Sequence, residues 1–216
     1  MSDMNMPTTA DVPITSSKSP ERVLTADEHR ANDDKTLFGF WLYLMTDCVL
    51  FASLFATYAV LRGNTFGGPD GAAIFSLPNV LAETLILLTS SFTCGLAMVG
   101  AQQRNKRLTL VWLGATFVLG AAFLGMELHE FHQLAIDGNG WQRSGFLSAF
   151  FTLVGTHGLH ITVGLLWLLV SMWRLVQHGF GRTTVRRLQM FSLFWHFLDV
   201  IWIFIFSIVY LMGAIK

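Results

Sequence analysis

The chain reads as an all-α integral membrane protein: a five-helix transmembrane bundle with a cytoplasmic N-terminus and a periplasmic C-terminus. Three observations predict this. First, 53% of the 216 residues are hydrophobic and only 13% are charged, against roughly 25% charged in soluble proteins. Second, the apolar residues gather in five long runs. Third, the basic residues gather on alternate connections between those runs. Nineteen Phe and seven Trp exceed what a soluble core of this size absorbs, whereas helices facing acyl chains need no such core.

Residues 1–35 form a polar segment with Pro7, Pro13 and Pro20, many Ser and Thr, and a mixed-charge stretch from Asp27 to Lys35. It has no apolar stretch of the kind a signal peptide carries, and a solvated, disordered cytoplasmic tail is expected. Residues 36–216 form the membrane domain. Its runs fall at Leu37–Leu61, Leu77–Ala101, Leu108–Ile136, Phe146–Trp173 and Leu188–Ile215, each near or above the roughly 20 residues that cross a bilayer. They lack strand alternation, and only helices or closed barrels satisfy the backbone in lipid. Pro78 stands where the second helix opens, a position that tolerates a missing N–H. Gly63, Gly67, Gly68, Pro69 and Gly71 break the chain before it.

With the tail inside, the inner segments collect Lys18, Arg22, Arg30, Lys35, Arg104, Lys106, Arg107, Arg174, Arg182, Arg186 and Arg187. The outer segments keep Arg62, Arg143 and Lys216. Eleven against three sets the orientation by the positive-inside rule. Small residues one turn apart, Ala52/Ala56, Ala97/Ala101 and Ala121/Gly125, are candidate helix contacts. No internal repeat supports the paired halves of a transporter.

Ionisable residues inside the runs each need a physical reason. Asp47 lies about 15 Å into the first helix at 1.5 Å per residue, and Glu83 is the one charge of the second. Glu127, His129, Glu130 and His132 crowd the outer end of the third. His157 and His160 share a face of the fourth at i, i+3, as do His196 and Asp199 on the fifth. Histidines at similar depth on two helices suit a bis-histidine haem. A hydrogen-bonded polar seam, with His196 donating to Asp199 near a helix-four histidine, explains the same spacing without a cofactor and is preferred. The cluster E-L-H-E-F-H lacks both Glu-x-x-His and His-Glu-x-x-His, so neither a di-iron nor a metalloprotease site is expected. Glu83 is either a proton-linked group or a protonated acid bonded to Thr84 or to a partner subunit. Cys48 and Cys94 stand on different runs, which argues against a disulfide or a two-cysteine metal motif. A net charge of zero gives no basic surface for nucleic acid. With no phosphate loop or nucleophile elbow, no catalytic, cofactor-binding or metal-ligating residue is assigned in this chain. A bundle so rich in intramembrane polar groups is expected to dock on a larger membrane partner.

Four stretches carry a resemblance. G-F-W-L-Y-L-M-T-D-C-V-L-F from Gly39 resembles the opening helix of the haem-copper oxidase subunit III core. Glu83-Thr-Leu-Ile-Leu-Leu with Ser90-Ser91 resembles that family's acidic helix. G-T-H-G-L-H from Gly155 and W-H-F-L-D-V-I-W from Trp195 are similar to its two signatures. The resemblance runs in order from Thr36 to Ile215. Five helices rather than seven, and R-S-G-F-L-S-A-F-F from Arg143, are most similar to the cytochrome o type ubiquinol oxidases of bacteria. Some cytochrome c oxidases share the five-helix arrangement and form the alternative, and a free-standing bis-histidine cytochrome is a second one.

The resemblance implies a non-catalytic subunit of a proton-pumping complex in the bacterial inner membrane that reduces oxygen to water. Haems, copper and the quinol site would belong to subunit I, the main contact, with subunit II and a small subunit IV as further partners and phospholipid bound between helices. It matches Glu83 to the family's intramembrane acid and gives His157, His160, His196 and Asp199 a structural role.

Overall fold

A computed structural model describes residues 26–65, 77–138 and 140–214. Five helices dominate: α1, Ala26–Leu61; α2, Leu77–Gln102; α3, Lys106–Ile136; α4, Gly145–His178; and α5, Arg182–Ile205. A π-helical segment, Phe206–Leu211, and one last helical turn, Met212–Ala214, prolong α5. Five stretches, from Lys35–Leu61 to Thr183–Leu211, are long and apolar enough to cross a membrane. The shortest, with 26 residues, spans about 39 Å at 1.5 Å per residue, more than a ~30 Å hydrocarbon core.

Residues 1–36 and 37–216 are separate units. In the first, Ala26–Lys35 is helical, where composition reads as unstructured tail. Hydropathy marks where a chain avoids water, whereas a nucleated helix extends through polar residues at little cost. Met1–Thr25 lies outside the described residues, as do Gly67, Gly68, Pro69 and Gly71 of the first connection. The same distinction explains α4, which continues to His178, and α5, which begins at Arg182, six residues before its apolar run. Gly179, at φ 65°, ends α4 in the left-handed region that a Cβ disfavours.

Within the bundle, α2 and α3 share the most extensive contact. Only three residues join them, and Asn105 caps α3 by accepting the Leu108 N–H at 3.3 Å. A Cβ on Gly100 would stand 3.0 Å from Thr109 Oγ1, so the hairpin closes because that position is glycine. Helix α5 packs against both α2 and α4. Helix α1 docks through large side chains instead: Phe40 on Trp167, Phe51 on His160, Phe55 on Phe204 and Tyr58 on Phe146.

The small-residue pairs divide. Ala97 and Ala101 are buried, whereas Ala52, Ala56 and Gly125 face outward and Ala121 is half-buried. The tightest approach is elsewhere. Trp195 of α5, fully buried, lies between Gly120 of α3 and Gly164 of α4. A Cβ on Gly120 would meet its Cζ2 at 2.8 Å, and one on Gly164 its Cζ3 at 3.0 Å. Two glycines on facing helices make the slot for one indole.

Candidate functional site

The interior holds a ladder of polar contacts between α2 and α5. Their sequence numbers run in opposite directions along it, as antiparallel helices require. The Ser90 hydroxyl accepts from Trp195 Nε1–H at 3.2 Å and donates to the Thr116 carbonyl at 3.1 Å, joining α2, α3 and α5. Beside it, Thr93 and Thr116 hydroxyls pair at 2.9 Å. Near seven residues away on each helix, Trp202 Nε1–H donates to Thr84 Oγ1 at 3.1 Å, while that hydroxyl donates to the Val80 carbonyl. Each indole N–H thus finds an acceptor where no water could serve. Hydropathy does not single out Thr93, Thr116, Trp195 and Trp202 as bonding partners, and Thr84, expected beside Glu83, bonds Trp202 instead. Their signal was the matched polar spacing on α2 and α5.

No hydrogen bond joins His196 to Asp199 among the described residues, although the ring and the carboxyl interact electrostatically. His196 Nδ1 lies 2.6 Å from the Ser91 hydroxyl of α2. One turn on, Asp199 is buried, and its Oδ1 has no hydrogen-bond partner.

The histidines of α4 serve other helices. His157 is fully buried among Phe51, Phe123 and Trp202, with ring centroids 6.5, 5.9 and 5.2 Å away. Its Nε2–H donates to the Leu198 carbonyl at 3.3 Å, leaving Nδ1 buried without a partner. His160 gives Nδ1–H to the Thr156 carbonyl at 2.8 Å and turns Nε2 towards Asp47 of α1 at 3.7 Å. That distance is an ion-pair separation rather than a hydrogen bond. His157 is enclosed by aromatic rings, whereas His196 faces outward, so these two signature histidines stand in different surroundings.

The buried glutamates Glu83 of α2 and Glu127 of α3 line different pockets. Glu83 lines a cavity of about 700 Å3 between α2 and α3 with Asn79, His129, Glu130, Gln133 and Asp137. Its Oε2 is buried and makes no hydrogen bond, and Thr84, its expected partner, bonds to Val80 and Trp202. Glu127 points the other way, towards α4, into a pocket of about 220 Å3. Both its oxygens are buried and unpartnered, and a Cβ on Gly158 would lie 3.3 Å from Oε2. Glycine at 158 is what admits the carboxyl. Among the described residues no group of three or more His, Cys, Asp or Glu is placed to hold a metal ion.

Helices of membrane length, glycine-seated aromatic packing and polar ladders that bind helix to helix define a multi-pass helical membrane bundle. The family profile of cytochrome c oxidase subunit III matches residues 20–214, and the chain belongs to that family. It is 59% identical over 191 residues to the cytochrome bo(3) ubiquinol oxidase subunit 3 of Pseudomonas aeruginosa, covering 88% of this chain and 91% of that protein. It is 57% identical over 180 residues to the protein of the same description from Pseudomonas putida, covering 83% and 87%. With the cytochrome c oxidase subunit 3 of Bacillus sp. (strain PS3) it shares 43% over 197 residues, covering 91% and 93%. Within the family the chain is of the cytochrome o type, as the resemblance of its signatures led one to expect. It is a multi-pass protein of a bacterial membrane.

Proposed function

We propose that this chain is the non-catalytic accessory subunit of a proton-pumping ubiquinol oxidase that reduces oxygen to water in the inner membrane. One observation carries the reading: identity to ubiquinol oxidase subunits 3 reaches 59%, against 43% to a cytochrome c oxidase subunit 3 at similar coverage. In this reading subunit I holds the haems and copper and is the main contact, subunit II and a small subunit IV complete the complex, and phospholipid fills the grooves of the bundle. The tail is cytoplasmic and the C-terminus periplasmic, supported by the eleven-to-three distribution of basic residues. Asp47, Glu83, Glu127, His157, His160, His196 and Asp199 brace helices. Glu83, beside its cavity, is also the group best placed to exchange protons with water.

The test is purification through a tag on this chain in mild detergent, followed by mass spectrometry, an optical spectrum and oxygen-consumption assays. Haem-bearing partners and quinol-driven oxygen uptake are expected, with assembly or sustained turnover lost on deleting the chain. Oxidation of cytochrome c by a complex whose subunit II carries dinuclear copper would replace the quinol reading. A Soret band held stoichiometrically by the chain alone would replace the accessory one.

A further inference from the structure

His196 is out of place for a histidine in a membrane helix. It is the fourteenth of the 29 residues from Thr183 to Leu211, hence at mid-membrane depth, yet its side chain is exposed. Intramembrane histidines ordinarily face the bundle interior or a watery cavity, because hydrocarbon offers no hydrogen bond. The other exposed histidines of the spans lie elsewhere: His129 and His132 within about 10 Å of the C-terminal end of α3, and His178 at the last residue of α4. Headgroups and water reach those positions. They do not reach His196.

The imidazole is also half-used. Nδ1 is tied to Ser91, which fixes the ring, and no hydrogen bond within the described residues uses Nε2. In either tautomer one nitrogen is left facing outward with its hydrogen-bonding capacity unmet. Asp199, one turn on, brings a second unmet atom, its buried Oδ1. Around this polar centre the surface is apolar: Phe92 of α2 is 67% exposed, and Val200 of α5 is 50% exposed, one turn from His196. A polar side chain set in an apolar membrane-facing surface is how interhelical hydrogen bonds join transmembrane helices, and a lipid chain would leave the centre unpaired.

We propose that the α2–α5 flank centred on His196 is the docking face for a transmembrane helix of a neighbouring oxidase subunit, which presents a hydrogen-bonding side chain to Nε2 at mid-membrane depth. The inference rests on the accessory-subunit reading and adds which face is used and which atom specifies the partner. Ser91 orients the ring before association, so little ordering accompanies docking. The match of one polar group to another inside hydrocarbon sets the register between the two helices.

The test uses the assembled complex. In a Cys48→Ser/Cys94→Ala chain, single cysteines at Phe92 and Val200 on the flank, and at Val118 on α3 and Val170 on α4 as exposed controls, carry a benzophenone maleimide and are photolysed in native membranes. Adducts to another subunit from Phe92→Cys and Val200→Cys, in excess of those from the controls, are expected. In parallel, His196→Leu should lower partner recovered per copy of inserted chain roughly tenfold, the factor of one interhelical hydrogen bond at ~1.4 kcal/mol, with His196→Gln recovering part of it. Protein adducts equal or greater at Val118 or Val170, or lipid adducts alone at the flank, would overturn the docking face while leaving the accessory reading intact. A chain that purifies without partners would overturn both.

Discussion

Substituting Gly120 by alanine isolates the packing that holds the bundle together. The new Cβ would stand 2.8 and 2.9 Å from Trp195 Cζ2 and Cη2, and 3.1 Å from Leu165 Cδ2. Carbon atoms prefer 3.5–4.0 Å, so about an ångström must be recovered. The indole cannot retreat. Gly164 of α4 already lies against its other edge, where even a Cβ would come within 3.0 Å, and its Nε1–H is held by Ser90 at 3.2 Å. Overpacking costs roughly 1–3 kcal/mol, and breaking the indole–serine bond adds about 1 kcal/mol. A loss of ~2–4 kcal/mol corresponds to a fall in Tm of roughly 4–15 °C for a chain of this size. The assay is thermal unfolding in detergent, read by a thiol-reactive dye at buried Cys94 in a Cys48→Ser chain. Gly114→Ala is the control, because a Cβ there meets nothing within 4 Å and alanine favours the helix. Trp195→Phe should relieve part of the Gly120→Ala defect. If Gly120→Ala unfolds within a degree of Gly114→Ala, the glycine slot does not hold the bundle and the reasoning fails.

Thr116→Val keeps the side-chain volume but removes the hydroxyl that meets Thr93 at 2.9 Å. Since Thr93 still bonds the Ser90 carbonyl, a loss of only ~0.6–1.5 kcal/mol is expected. In the same dye assay its Tm should lie between those of Gly114→Ala and Gly120→Ala. Asp47→Leu removes the carboxyl facing His160 and loosens α1, which otherwise docks through aromatic side chains. Hydrogen exchange should then rise in Phe40–Leu61 and stay unchanged in α2 and α3. A uniform rise across all five helices would contradict that reading.

Much of this architecture was legible along the chain. Hydropathy placed all five spans, and their outer limits moved only where polar residues continue a helix, as at Arg182–Arg187. The acidic and histidine residues were found one by one, since any such group in an apolar run stands out. Their partners were not. His196 and Asp199 have the spacing of a couple, yet Ser91 of another helix takes the ring. Glu83 and Glu127 stand on different helices with nothing in the sequence to relate them, yet their carboxyls act on each other electrostatically while lining separate pockets. Among the small-residue pairs, only Ala97/Ala101 is buried, because Ala and Gly also occupy lipid-facing positions.

The amino-acid sequence by itself determined that the chain crosses a membrane, where each crossing lies, and which signatures mark its family. Those properties accumulate residue by residue along one strand of chain, so order and composition suffice to state them. The tertiary structure alone decided which faces meet. Trp195 lies between Gly120 and Gly164, two residues 44 positions apart, because an indole fits only where both lack a Cβ. That fit is a relation of shapes across space, and no local pattern encodes it.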